Sequence, residues 1–313
     1  MAGRMLIQIF LFGSFLLSPA HADGRGASFL KEGDRAYFQG KTQESVTRYE
    51  KAVKADPLNV AALDSLGITY AEMGQWDKAI ENLQKSVALD PKRSEPYVNL
   101  SLSYAGKEDF DRAKIFAEKA IKLDPKRISA YQALGGALEG LGDEDKAIAA
   151  YKQGLSGDRE NTNLYLALGN VYGKRLKFDL AIDAYQKAIQ ADPKNVFAYS
   201  NIGYVYQEKK DPAKAIAYFK KAAEVAPQDA VAWYDLGAAY GKADKLDDAI
   251  ASYQKSFTVD SKHTKACLSL ALAYERKKDL AKAAEYYTKA LSLTEDPKLK
   301  EAILTLITST SAQ

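Results

Sequence analysis

The sequence predicts an all-α solenoid of antiparallel helix pairs, and three observations predict it. One pattern of large, small and turn-forming residues recurs every 34 residues from Gly26 to Pro297, eight times without an insertion. Helix A of the pattern carries apolar residues at positions 4, 7, 8 and 11, the spacing of a single helical face. Asp-Pro pairs (Asp56-Pro57, Asp90-Pro91, Asp124-Pro125, Asp192-Pro193) recur at the ends of copies, where the residue before proline is driven out of the α region. A period of this length marks stacked supersecondary units in place of one globular core.

Residues 1–22 precede the repeats. Arg4 gives a positive start, Met5 to Leu17 is an apolar run of 13 residues, and Ala20 and Ala22 take the small positions of an A-x-A cleavage site. The run is shorter than the roughly 20 apolar residues of a membrane span. It reads as a secretory signal peptide cut before Asp23, with an uncleaved membrane tether as the alternative. The expected destination is periplasmic or secreted. No cysteine lies near the cut, which argues against a lipid anchor.

Residues 23–297 hold the solenoid, with repeats at 26–59, 60–93, 94–127, 128–161, 162–195, 196–229, 230–263 and 264–297. Each should form helix A (about positions 2–14) and helix B (about positions 17–30). Position 7 is Leu or Ile from Leu66 onward, and position 11 is Tyr in six of those seven copies. Position 8 is Gly67, Ser101, Gly135, Gly169, Gly203, Gly237 and Ala271, and position 20 is alanine from Ala79 to Ala283. A glycine inside a helix costs about 0.5–1 kcal/mol against alanine, so its recurrence implies a close crossing of helix B over helix A, expected opposite the position-20 alanine. Asp211-Pro212 and Gly142-Asp-Glu-Asp145 suit helix-B starts, where carboxylates cap and favour the dipole. Repeats four, seven and eight carry Arg159, Ser261 and Glu295 at the closing proline position, which marks those junctions as places of altered curvature or fraying.

The ends read as caps. Repeat one has Glu32 where later copies have Leu or Ile. In 298–313, Leu299, Ile303, Leu304, Leu306 and Ile307 form an amphipathic capping helix, and the tail from Ser309 is expected to be disordered.

The clearest copy, Trp233-Tyr-Asp-Leu236-Gly237-Ala-Ala-Tyr240 followed by Ala249 and Tyr253, resembles the tetratricopeptide repeat, and the likeness extends from Gly26 to Pro297. The resemblance implies a right-handed superhelix whose concave face is lined by helix-A positions 2, 5, 9, 12 and 13 and takes a protein or peptide partner. In repeats five to seven those positions hold Asn163, Leu166, Asn170, Lys174, Phe197, Ser200, Tyr204, Gln207, Glu208, Val231, Tyr234 and Lys242. Aromatics beside amides suit peptide recognition; alternatively Phe197, Tyr204 and Tyr234 fill gaps between neighbouring A helices. Chaperone-binding members place Lys at position 5 and Asn at position 9. Here position 5 has no Lys, so that carboxylate clamp is absent. An asparagine ladder at position 6 is not supported either, since only Asn99 and Asn201 match beside Ser65, Ala133, Ala167, Asp235 and Ser269.

Composition narrows the function further. Cleavage removes Arg4 and no acid, leaving 43 Lys plus Arg against 41 Asp plus Glu. That balance offers no basic face for nucleic acid and no polybasic signal for anionic membranes. Cys267 is the single cysteine, read as a small core residue with an intermolecular disulfide as the alternative. His263 is the one histidine after the leader, read as a solvated turn residue, so neither a metal cluster nor a Ser-His pair is expected. No cofactor is implied. The expected protein is a non-catalytic interaction scaffold within a cell-envelope assembly or export complex; the alternative is a structural homo-oligomer.

Overall fold

A computed structural model describes residues 24–311; the leader and its cleavage site lie outside the described residues. All described secondary structure is helical. The chain divides into two compact units, Met1–Arg159 and Glu160–Gln313. The first holds α1 (Gly24–Phe38), α2 (Thr42–Ala55), α3 (Val60–Glu72), α4 (Trp76–Leu89), α5 (Glu95–Gly106), α6 (Phe110–Leu123), α7 (Ile128–Gly140) and α8 (Glu144–Gly157). The second holds α9 (Thr162–Lys174), α10 (Phe178–Ala191), α11 (Val196–Glu208), α12 (Pro212–Val225), α13 (Ala230–Lys242), α14 (Leu246–Val259), α15 (Thr264–Arg276), α16 (Leu280–Leu293) and α17 (Pro297–Ser311). Odd-numbered helices to α15 are A helices and even-numbered ones are B helices. The division falls at Arg159, the first repeat junction without the closing proline.

The glycines mark where helix B crosses helix A, as expected, and the residue that crosses is the one at position 24. A Cβ on Gly135 would stand 2.1 Å from the Tyr151 ring, and on Gly169 2.3 Å from Tyr185. Gly33 and Tyr49, Gly203 and Phe219, and Gly237 and Tyr253 repeat the arrangement. Position 8 is therefore small so that the large side chain at position 24 of helix B can lie across helix A. The alanine at position 20 is buried throughout, and the large side chain at position 24, Leu83 in repeat two and a ring in most others, is what crowds position 8. Repeat three exchanges the sizes, with Ser101 opposite the fully buried Ala117.

Turn chemistry repeats as faithfully. Position 15 has positive φ in all eight copies: Gly40, Gly74 and Gly142, but also Glu108, Leu176, Lys210, Asp244 and Lys278. This left-handed residue ends helix A and lets the next amide bond back into it, as in Asp109 N to Tyr104 O at 2.9 Å. Asp211 caps α12, accepting from Lys214 N at 3.1 Å, and Asp143 caps α8. The aspartates of the Asp-Pro pairs are helix C-caps whose carboxylates accept the amide two residues on, as Asp90 does from Lys92 at 3.2 Å. Position-4 aromatics reach back to the proline carbonyl: Tyr131 donates to Pro125 O at 3.0 Å and Trp233 Nε1 to Pro227 O at 3.0 Å. Repeat eight lacks both partners at once, with Ser261 for proline and Cys267 for the aromatic.

Cys267 is fully buried, its Sγ donates to Tyr286 O at 3.3 Å, and burial raises its pKa to about 11. That sealed thiol fits the core reading and leaves nothing exposed for an intermolecular disulfide. Glu32 on α1 pairs with Arg48 on α2 at 2.8 Å, an ion pair where the other repeats carry leucine or isoleucine. At the other end α17 packs on α16, with Ile303 fully buried and Leu299, Leu306 and Ile307 against the same core. One expectation needs correction: Leu304 is 50% exposed. The last helix runs to Ser311, and the end of the tail lies outside the described residues.

Candidate functional site

The A helices α9, α11, α13 and α15 of the second unit touch one another in order. Their apolar faces at positions 4, 7, 8 and 11 are committed to their own B helices and to the neighbouring repeats. Positions 2, 5, 9, 12 and 13 form the other face. Asn163, Lys174, Phe197, Tyr204 and Lys242 are exposed there, together with Val231 and Glu208. Phe197 is 46%, Tyr204 44% and Val231 55% exposed, a high value for side chains of this size.

The remaining candidates turn partly inward. Leu166 packs against the core around Ile182 and Tyr185. Tyr234 sits with its ring centroid 5.7 Å from Tyr253 and 5.2 Å from His263, so much of it fills the gap between helix pairs. Ser200 is half-buried. Asn170 Oδ1 accepts from the Tyr185 hydroxyl at 2.7 Å and from Asn201 Nδ2 at 3.3 Å, linking α9, α10 and α11. Gln207 Oε1 accepts from Lys242 Nζ at 2.9 Å, linking α11 to α13.

Tyr204 serves both uses. Its ring meets Phe219 edge-on at 5.0 Å, its hydroxyl donates to Asp235 on α13, and its other face stays open. Asp235, dismissed in the sequence as a broken ladder position, is 8% exposed. Burial raises its pKa to about 6, Asp229 adds to the rise, and the Tyr204 hydrogen bond with the charges of Lys242 and Lys265 works against it. The Tyr204 phenol is itself raised, by burial first and then by the Asp235 charge.

Repeat eight extends the same rows with residues the sequence reading left out: Lys265 at position 2, Leu272 (41% exposed) at position 9, and Arg276 at position 13. The register that nominated the other candidates applies to these equally. Arg276 donates to Gly241 O at 3.1 Å and pairs with Asp244 at 2.7 Å.

His263 departs from expectation. It is half-buried under Tyr234 with its pKa lowered by burial, and its Nδ1 lies 2.8 Å from Ser256 Oγ. Ser256 is fully buried and spends its proton on Ala230 O at 2.7 Å, so His263 Nδ1 is the donor in the pair. A serine whose proton points away from the imidazole has no base to activate it. No group of three His, Cys, Asp or Glu among the described residues could hold a metal ion. No helix among them is long and apolar enough to cross a membrane.

Comparison with known proteins gives a consistent result. Tetratricopeptide repeat models match residues 30–94 and 234–299, 70–138, 128–161 and 196–262, and a further TPR repeat model matches 177–210. No curated protein matches the sequence. Among solved structures the chain is similar to yeast Tom70, with 18% identity and a TM-score of 0.69 over 95% of this chain and 67% of that one. It is similar to a chain of the APC/C hetero-tetramer Cut9-Hcn1, with 20% identity and a TM-score of 0.54 over 88% of this chain, and it spans only 55% of the length of that relative. Pseudomonas aeruginosa pilF matches at 20% identity and TM-score 0.54, over 68% of this chain and 96% of its own. Eight copies in one register, the size exchange between positions 8 and 24, and matches along nearly the whole described chain make this protein a member of the tetratricopeptide repeat family.

Proposed function

We propose that this protein is an exported scaffold that holds a peptide or protein segment against the helix-A face of repeats five to eight. Tetratricopeptide repeat proteins are in general protein–protein interaction scaffolds, and the fold is typically a non-catalytic one. The observation that carries the reading is the row of exposed Phe197, Tyr204 and Val231 on adjacent helices whose cores are already satisfied. Stacked helices keep such a face rigid, so binding orders mainly the partner. The leader in the sequence supports export, and a cell-envelope assembly or export complex is the setting proposed.

Photo-cross-linking in the native compartment tests this directly. A cross-linking residue at Phe197 on α11 should yield a discrete adduct, and one at Lys187 on the B helix α10 should not. Tyr204→Ala should weaken the adduct by the roughly 2 kcal/mol of a lost aromatic anchor. Equal adducts from both positions would reject the A-helix face as the binding surface. Persistence of the unprocessed leader in cytoplasmic fractions alone would reject export.

A further inference from the structure

The two units carry opposite charge on the same rows. At positions 2, 5, 9, 12 and 13 the first unit has Asp34, Asp64, Glu72, Glu95 and Glu139, with no Lys or Arg at all. The second unit has Lys174, Lys242, Lys265 and Arg276 against Glu208 and Glu275. Of those two acids, Glu275 accepts the Tyr287 hydroxyl at 2.5 Å, leaving Glu208 as the one exposed carboxylate on the second unit's rows.

Two of these cations, Lys242 and Lys265, form no ion pair among the described residues, while Arg276 pairs with Asp244. Lys242 is steadied by the neutral amide of Gln207 at 2.9 Å, and both Lys242 and Lys265 act electrostatically on Asp235, whose buried carboxyl shares its environment with Tyr204. Arg276 is anchored on the Gly241 carbonyl as well as on Asp244. The apolar exposure lies between these charges: Phe197 and Val231 at position 2, Tyr204 and Leu272 at position 9. Lys242 and Arg276 at position 13 edge the face at the other end of the helices. A surface whose exposed apolar side chains are flanked by Lys265 at one end of the helices and by Lys242 and Arg276 at the other matches a ligand with the complementary division.

Resting on the scaffold reading above, we propose that this face takes an acidic amphipathic segment of its partner, with carboxylates on Lys242, Lys265 and Arg276 and apolar side chains on Phe197, Tyr204 and Val231. The acidic rows of a second copy are a weaker match for charge alone. They belong to helices already packed against their neighbours and offer no free segment to lie across α11, α13 and α15.

The test uses the full chain and two synthetic amphipathic peptides with one apolar pattern, glutamate filling the polar positions of one and lysine those of the other. Fluorescence anisotropy should show the glutamate peptide binding at least about tenfold more tightly, with affinity falling as salt rises from about 0.05 to about 0.5 M. The double reversal Lys242→Glu with Lys265→Glu should lose about tenfold for the glutamate peptide and narrow or invert the preference. Circular dichroism confirms that the variant is folded. Equal binding of both peptides, reduced in both by Phe197→Ala, would overturn the charge assignment and leave the groove reading intact. Binding of either peptide that Phe197→Ala and Tyr204→Ala leave untouched would overturn the groove reading itself. Light scattering that shows self-association abolished by the double reversal, with neither peptide bound, would replace the segment with a second copy.

Discussion

Asp235 is a carboxylate held by a phenol from the preceding repeat, and its energetics follow from its burial. The sign is fixed by the direction of the shift. With the folded pKa near 6 and the ordinary value at 3.8, the folded chain keeps a proton between those values that the unfolded chain has released. The stability this group contributes is fully present below about 3.8 and is lost as pH rises through about 6. Asp235→Asn keeps an acceptor for Tyr204 and removes the titration. Denaturant melts should show the variant more stable than the parent at pH 7, by up to about 3 kcal/mol, with the difference shrinking toward pH 4. A constant difference across that range would remove Asp235 as the cause. The residue was not legible in the sequence, because position 6 was judged against an asparagine pattern and the capping tyrosine comes from a different repeat. His263 escaped for the same reason: its companions Ser256 and Tyr234 lie 7 and 29 residues away in sequence. The left-handed turn at position 15 was hidden because only three of its eight residues are glycine.

Elements, by contrast, were read almost whole. Helix A proved to run over positions 1–13 in most repeats and helix B over 17–30, within one residue of the pattern. Apolar spacing and Asp-Pro stops are local properties, so a sequence carries them in full. The reason for the position-8 glycines is not local, since it depends on which residue of helix B crosses there. The pairing of Gly135 with Tyr151 gives a measurable consequence. Gly135→Ala should destabilise by roughly 1–3 kcal/mol through overpacking, despite the better helix propensity of alanine. In a Tyr151→Ala background, the size pairing that repeat three already uses, the same substitution should cost nothing or stabilise slightly. Chemical denaturation of the four chains completes the cycle. An equal cost in both backgrounds would show that the ring does not set the glycine. At the C-terminus the apolar pattern placed Ile303 correctly under the last pair, and missed Leu304 because one helical step separates a covered face from a bare one.

For the whole molecule, the sequence displayed eight equal repeats, and the structure divides them into two units at the junction where Arg159 replaces proline. The register that serves the core also marks the residues the core does not use, which is why Phe197, Tyr204 and Lys242 are legible in the sequence alone. Lys265, Leu272 and Arg276 follow from the same register carried one repeat further. What no single copy reveals is the change of charge between units, because it emerges only when rows are compared across repeats. The central claim is that the helix-A face of repeats five to eight is the working surface. Amide hydrogen exchange of the full chain, with and without the captured partner, tests it most directly. Protection gained on α11, α13 and α15, with α10, α12 and α14 unchanged, is the predicted result. Protection concentrated on the B helices, or on α17 alone, would contradict it.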